Sequence, residues 1–154
     1  LMIILYLVEK GILKKPILYL SDFFERNRML YYDNLTRVRE KNDLNQWFKF
    51  FLVGVIETAK NGINTFESIL KLQKEVEFKL QTLGSRSHNA QLILNHLYQR
   101  PIIDAQKVKD LTGLSLPSVY KLIEELEKLE ILNEITGGKR GRIYLFGEYT
   151  KLFK

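Results

Sequence analysis

The sequence contains no cysteine, which excludes disulfide bridges and thiolate metal sites. It has only two histidines, His88 and His96. They lie eight residues apart, with no third ligand type clustered near them, so no metal site is predicted and both are expected to be structural or surface residues. No long apolar run is present. The strongest, residues 1–8, is far short of the roughly 20 residues a membrane span needs. It also lacks the basic start and small-residue cleavage site of a signal peptide. The glycine-rich stretch Gly137-Gly138-Lys139-Arg140-Gly141 lacks the upstream glycine and the following Ser or Thr of a phosphate-binding P-loop. Internal repeats and low-complexity tracts are absent, and no carboxylate pair stands out from the charged background. Taken together these absences predict a cytoplasmic protein with no membrane span and no metal.

What is present is enough for a folded chain. It has 154 residues, 45% of them hydrophobic, which suits one domain or two small ones. The net charge of +6 is evenly spread. Residues 1–85 carry 13 Lys and Arg against 10 Asp and Glu, and residues 86–154 carry 11 against 8. Neither half is the concentrated basic surface of a dedicated nucleic-acid binder.

Helical patterns fill the first half. Residues 2–11 form a short one that Gly11 can close. Lys14-Lys15-Pro16 is a break. Ser21 and Asp22 predict a helix start, and the pattern then runs unbroken to about Lys41. Asn42-Asp43 separates it from the next helix, with Asp43 as cap and Gln46 three residues on. Trp47, Phe48, Phe50, Phe51, Leu52, Val55 and Ile56 make the densest apolar patch, which predicts the centre of a helical core. Gly54 is expected to allow close helix packing, and Asn61-Gly62 marks a possible bend. The period continues through Leu83, and residues 84–87 predict a linker.

The second half reads differently. Ala90, Ile93, Leu94 and Leu97 mark one helix. Residues 101–103 are short and extended, and Asp104 caps a two-turn helix ended by Gly113. Ser115 or Ser118 starts a third helix, whose stripe is Val119, Leu122, Ile123, Leu126 and Leu129. Two β-rich runs, residues 131–135 and 142–146, flank the glycine-rich tip. Three short helices followed by a hairpin, over residues 86–149, predict a winged helix-turn-helix. In that fold the helix after the turn enters the major groove and the wing reaches a neighbouring groove or phosphate. The candidate DNA contacts are Ser118, Tyr120 and Lys121 at the helix start, and Lys139, Arg140 and Arg142 on the wing. Against them stand Glu124, Glu125, Glu127 and Glu130, which repel phosphate. The wing cations are equally readable as a solvated hairpin tip.

The stretch Leu18-Tyr19-Leu20-Ser21, Asn27-Arg28, Tyr31-Tyr32, Leu35, Val38-Arg39, Asp43, Trp47, Phe50-Phe51-Leu52 and Gly54-Val55 resembles the C-terminal part of Fic proteins. Residues 5–11 also resemble the helix that follows their catalytic loop. In the two-domain bacterial type a Fic core precedes a winged helix, so the resemblance covers nearly the whole chain. It implies a mainly α protein: residues 1–84 as the closing helices of a Fic-like core, and residues 85–154 as a winged helix-turn-helix domain with a small β-hairpin wing.

Fic proteins transfer AMP from ATP to a hydroxyl of a target protein. Their His-Pro-Phe, acidic residue and Gly-Asn-Gly-Arg motif supplies the general base and the phosphate cradle. That motif does not occur here. The resemblance therefore implies a truncated chain whose catalytic loop would lie just before Leu1, inactive by itself. ATP would be a ligand of the parent family, bound weakly or not at all by this fragment. Tyr31 and Tyr32 correspond to the paired tyrosines near the adenine; the alternative is that both are core aromatics. The expected partners are a protein target, a second copy, or DNA. The competing reading is a winged-helix transcriptional regulator with an N-terminal helical dimerisation region.

Overall fold

The computed structural model describes residues 2–14, 19–138 and 140–153. Lys15, Pro16 and Leu18, used in the sequence reading above, lie outside them, as does Lys139. The described residues are mainly helical: α1 (Met2–Glu9), α2 (Leu20–Arg26), α3 (Arg28–Lys41), α4 (Leu44–Gln81), α5 (Ser87–Leu97), α6 (Ala105–Thr112), α7 (Leu116–Lys128) and α8 (Gly147–Lys151). Three short strands, β1 (Ile102–Asp104), β2 (Asn133–Glu134) and β3 (Ile143–Leu145), form one antiparallel sheet. The chain divides into two compact units, Leu1–Asn64 and Thr65–Lys154.

In the first unit, the helix expected to run unbroken from Ser21 to Lys41 is two helices. The break is at Asn27, whose side-chain amide donates to the Phe23 carbonyl at 2.9 Å, the same oxygen its backbone N–H reaches at 3.0 Å. An asparagine that competes locally for a helical carbonyl favours a turn over continuation. The first of the two begins at Leu20, so Ser21 lies inside the first turn and caps nothing, while Asp22 pairs with Arg26 at 2.9 Å. Asn42 ends α3 in the left-handed region at φ 51°. Asp43 then accepts the Gln46 N–H at 3.2 Å, which starts α4. That helix passes through Gly62 without interruption. One interior glycine costs about 1 kcal/mol, too little to break so long a helix.

The dense apolar patch is not the buried centre expected of it. Leu20 and Phe23 are buried, whereas Phe48, Leu52 and Ile56 are each more than half exposed. The reason is geometric. The patch wraps around α4, and α2 and α3 cover only the side carrying Trp47, Phe50 and Gly54. Trp47, Phe50, Phe23, Phe24 and Tyr31 stack there with ring centroids 5.0–6.4 Å apart. Phe48, Leu52 and Ile56 recur every four residues and form a second stripe on another face. Gly54 sits directly against the Phe23 ring, where a Cβ would lie 2.6 Å from Cδ1.

The second unit holds the larger core. Val76 and Leu80 from the end of α4 join Ala90, Ile93, Leu94, Leu97, Val108, Val119, Leu122, Ile123, Leu126, Tyr144 and Phe146. The segment expected as a linker is instead a single 3-10 turn, Gly84–Arg86, between two helices that share this core. Gly84 turns the chain at φ 57°. Strand order is β1-β3-β2, with Ile103 opposite Tyr144 and Glu134 also opposite Tyr144. The two predicted β-runs are longer than the strands that form, because Ile131 and Leu132 still bond back to the Leu126 carbonyl at the end of α7. The segment expected only as extended at residues 101–103 supplies the third strand, Ile102–Asp104.

Candidate functional site

The exposed start of α7 is built by the chain before it. Asp104 caps α6 by accepting the Lys107 N–H at 2.7 Å. Gly113 closes the helix at φ 69°, its N–H on the Lys109 carbonyl at 2.8 Å. Ser115, in extended geometry, is the N-cap of α7, and Pro117 sits in the first turn, where its missing N–H costs nothing. The apolar stripe Val119, Leu122, Ile123 and Leu126 is buried. Helical periodicity therefore turns Ser118, Tyr120 and Lys121 to solvent, with Tyr120 52% exposed. The Ser118 and Ser115 hydroxyls are 3.0 Å apart.

Two of the four acids in the second half of α7 and just beyond it, Glu124 and Glu125, are paired with cations. Glu124 pairs with Lys128 at 2.8 Å, and this bond and its charge hold the Glu124 carboxyl below its ordinary value and the Lys128 ammonium above its own. Glu125 pairs with Arg86 from the 3-10 turn, and its side chain is four-fifths covered. Lys79 of α4 reaches the other end of α7 and donates to the Leu129 carbonyl at 2.9 Å. Glu130 lies beyond the helix, in the left-handed region at φ 60°. The repulsive row read along the sequence thus contains two acids already matched by cations. The Glu124–Lys128 spacing was visible in the sequence as an i, i+4 pair. The Arg86 and Lys79 contacts span long separations and had no sequence signal.

On the hairpin, Arg140 and Arg142 are exposed. Arg142 Nε donates to the Gly138 carbonyl at 3.0 Å. Opposite it, the Glu134 carboxylate accepts the N–H of Thr136 at 2.8 Å and of Gly137 at 2.9 Å, and also the Thr136 hydroxyl. The Thr136 bonds, helped by Gly137 and Arg142, hold the Glu134 carboxyl below its ordinary value. The sequence reading did not single out Glu134.

The tyrosine pair divides. Tyr31 is half-buried, its ring 5.0 Å from Phe24 and 5.8 Å from Trp47. Tyr32 meets Tyr31 edge-on at 5.5 Å but is 53% exposed, with the Arg28 guanidinium 5.8 Å over its ring. His88 and His96 both lie on α5. Burial, then Lys107 and Arg100, push the His96 pKa down. Among the described residues no group of three or more His, Cys, Asp or Glu is placed to hold a metal ion, and no helix is long and apolar enough to cross a membrane.

No protein-family model matches the chain.

Proposed function

We propose that this chain is the closing portion of a Fic-type protein adenylyltransferase, joined to a winged helix-turn-helix that binds a partner. The observation carrying the first half is the spacing of Asn27-Arg28, Tyr31-Tyr32, Trp47, Phe50 and Gly54. Asn27 lies at the break between α2 and α3, Arg28, Tyr31 and Tyr32 on α3, and Trp47, Phe50 and Gly54 on α4, around a single aromatic cluster in which Gly54 is seated on Phe23 of α2. On this reading Tyr32, with Arg28 beside it, is the tyrosine free to meet an adenine, and Tyr31 supports it from the cluster. The His-Pro-Phe and Gly-Asn-Gly-Arg elements are not among these 154 residues. By itself the chain is therefore expected to transfer no AMP, and any affinity for ATP is weak.

The test is transfer of labelled AMP from ATP to protein. It should be absent with this chain alone and present with the same chain joined in frame to the coding sequence upstream. Transfer by the 154 residues alone would sink the reading. So would an upstream sequence without the His-containing motif.

For the second unit, the order α5-β1-α6-α7-β2-β3, the Gly113 turn and the antiparallel sheet support a winged helix. Duplex DNA is the partner that its exposed residues fit best. Ser118, Tyr120 and Lys121 open α7, Arg140 and Arg142 lie on the wing, and Glu124 and Glu125 are compensated by Lys128 and Arg86. Binding should weaken steeply as salt rises. No binding to duplex at low salt would leave a protein target or a second copy as the partner.

A further inference from the structure

The base of the hairpin is anchored by buried Tyr144, and its tip is held in shape by polar groups. On the β2 limb, Glu134 gathers the Thr136 and Gly137 N–H groups and the Thr136 hydroxyl. Thr136 Oγ1 also accepts the Ile143 N–H at 3.3 Å, which carries the network across to β3. On the β3 limb, Arg142 Nε ties back to the Gly138 carbonyl. Gly137 and Gly141 supply the left-handed turns at φ 66° and 64°. Arg140 makes no hydrogen bond or ion pair with any described residue, and it is exposed.

A carboxylate on a hairpin meant to approach phosphate is electrostatically unfavourable, so its presence calls for a structural return. Here two backbone donors and a hydroxyl converge on it, and Arg142, exposed and still charged, gives its Nε–H to the tip. We propose that Glu134 is a positioning residue for nucleic-acid binding: its carboxylate shapes the hairpin tip so that the exposed Arg140 is presented to a backbone phosphate. This rests on reading the second unit as a duplex-DNA binder.

The experiment is anisotropy of a labelled random-sequence duplex with the full chain, titrated with salt. Arg140→Ala should weaken binding by up to about tenfold and reduce the log–log salt slope by about 0.9, the loss of one phosphate contact. Glu134→Ala should do the same although it removes a negative charge, and the double variant should lose no more than either single one. Glu134→Gln keeps an acceptor for the Thr136 N–H and should bind close to wild type, which also guards against a variant that fails to fold. Unchanged or tighter binding by Glu134→Ala, with the wild-type salt slope, overturns the proposal and leaves Glu134 as a repelling charge. If the wild type itself binds no duplex at low salt, the DNA reading fails and this inference falls with it.

Discussion

Gly54 shows how much a single atom can decide. Helix propensity alone favours alanine there by about 1 kcal/mol. The added Cβ would lie 2.6 Å from a ring carbon of Phe23, a side chain too buried to swing away. Overpacking of this kind costs about 1–3 kcal/mol, so Gly54→Ala should be net destabilising by about 1 kcal/mol, read as a lower urea midpoint with unchanged slope. Glu134 gives a prediction of the opposite kind, one of pH. Its folded pKa lies below the ordinary 4.5. The carboxylate therefore stabilises the hairpin above that value, and the contribution is lost only as pH falls through the depressed folded pKa. The midpoint of the pH-dependent movement of the Thr136 and Gly137 amide resonances should lie below 4.5; a midpoint at or above 4.5 would count against the bonding described.

Element by element, the sequence was legible wherever one residue fixes one local geometry. The Asp104 cap, the Gly113 turn and the buried stripe of α7 all stand where their patterns put them. It was illegible where two forces compete, as at Asn27, or where covering a surface depends on which neighbour arrives. α4 contains both outcomes along one helix. Leu80 is 1% exposed and Leu52 54% exposed, although both are leucines in an amphipathic period. Leu80→Ala should cost about 2–5 kcal/mol. Phe48→Gln with Leu52→Gln should change stability by no more than about 0.5 kcal/mol per site while reducing self-association in light scattering, since contiguous exposed apolar surface favours association. A large stability loss from the glutamine pair would mean that this stripe is covered after all.

At the scale of the molecule, the formal charge did not reveal where charge is available. Both halves carry the same excess of three cations. Folding then pairs Arg86 with Glu125 and Lys128 with Glu124, and leaves Lys121, Arg140 and Arg142 outward, Arg142 with its Nε–H on the Gly138 carbonyl. The Arg86 pairing spans a long sequence separation, and no count over the sequence can anticipate it. The candidate site was accordingly half legible. Its exposed members at the start of α7 followed from helical periodicity and the Glu124–Lys128 pair from its spacing, while the Arg86–Glu125 pair and the bracing of the hairpin did not.

The strand order has a practical consequence of its own. The last strand to be made, β3, lies in the middle of the sheet, paired with β1 on one side and β2 on the other. It carries Tyr144, and just beyond it Phe146, into the core, where both are almost wholly buried. The peptide bond after Arg140 joins exposed residues of the hairpin. A break there severs the covalent chain but none of these holdings. Cleavage by trypsin at this point should leave two pieces that co-elute and melt together, and the separately made pieces should recombine. The tip of the hairpin is in this sense a natural splice point, open to an inserted peptide or a reporter split in two.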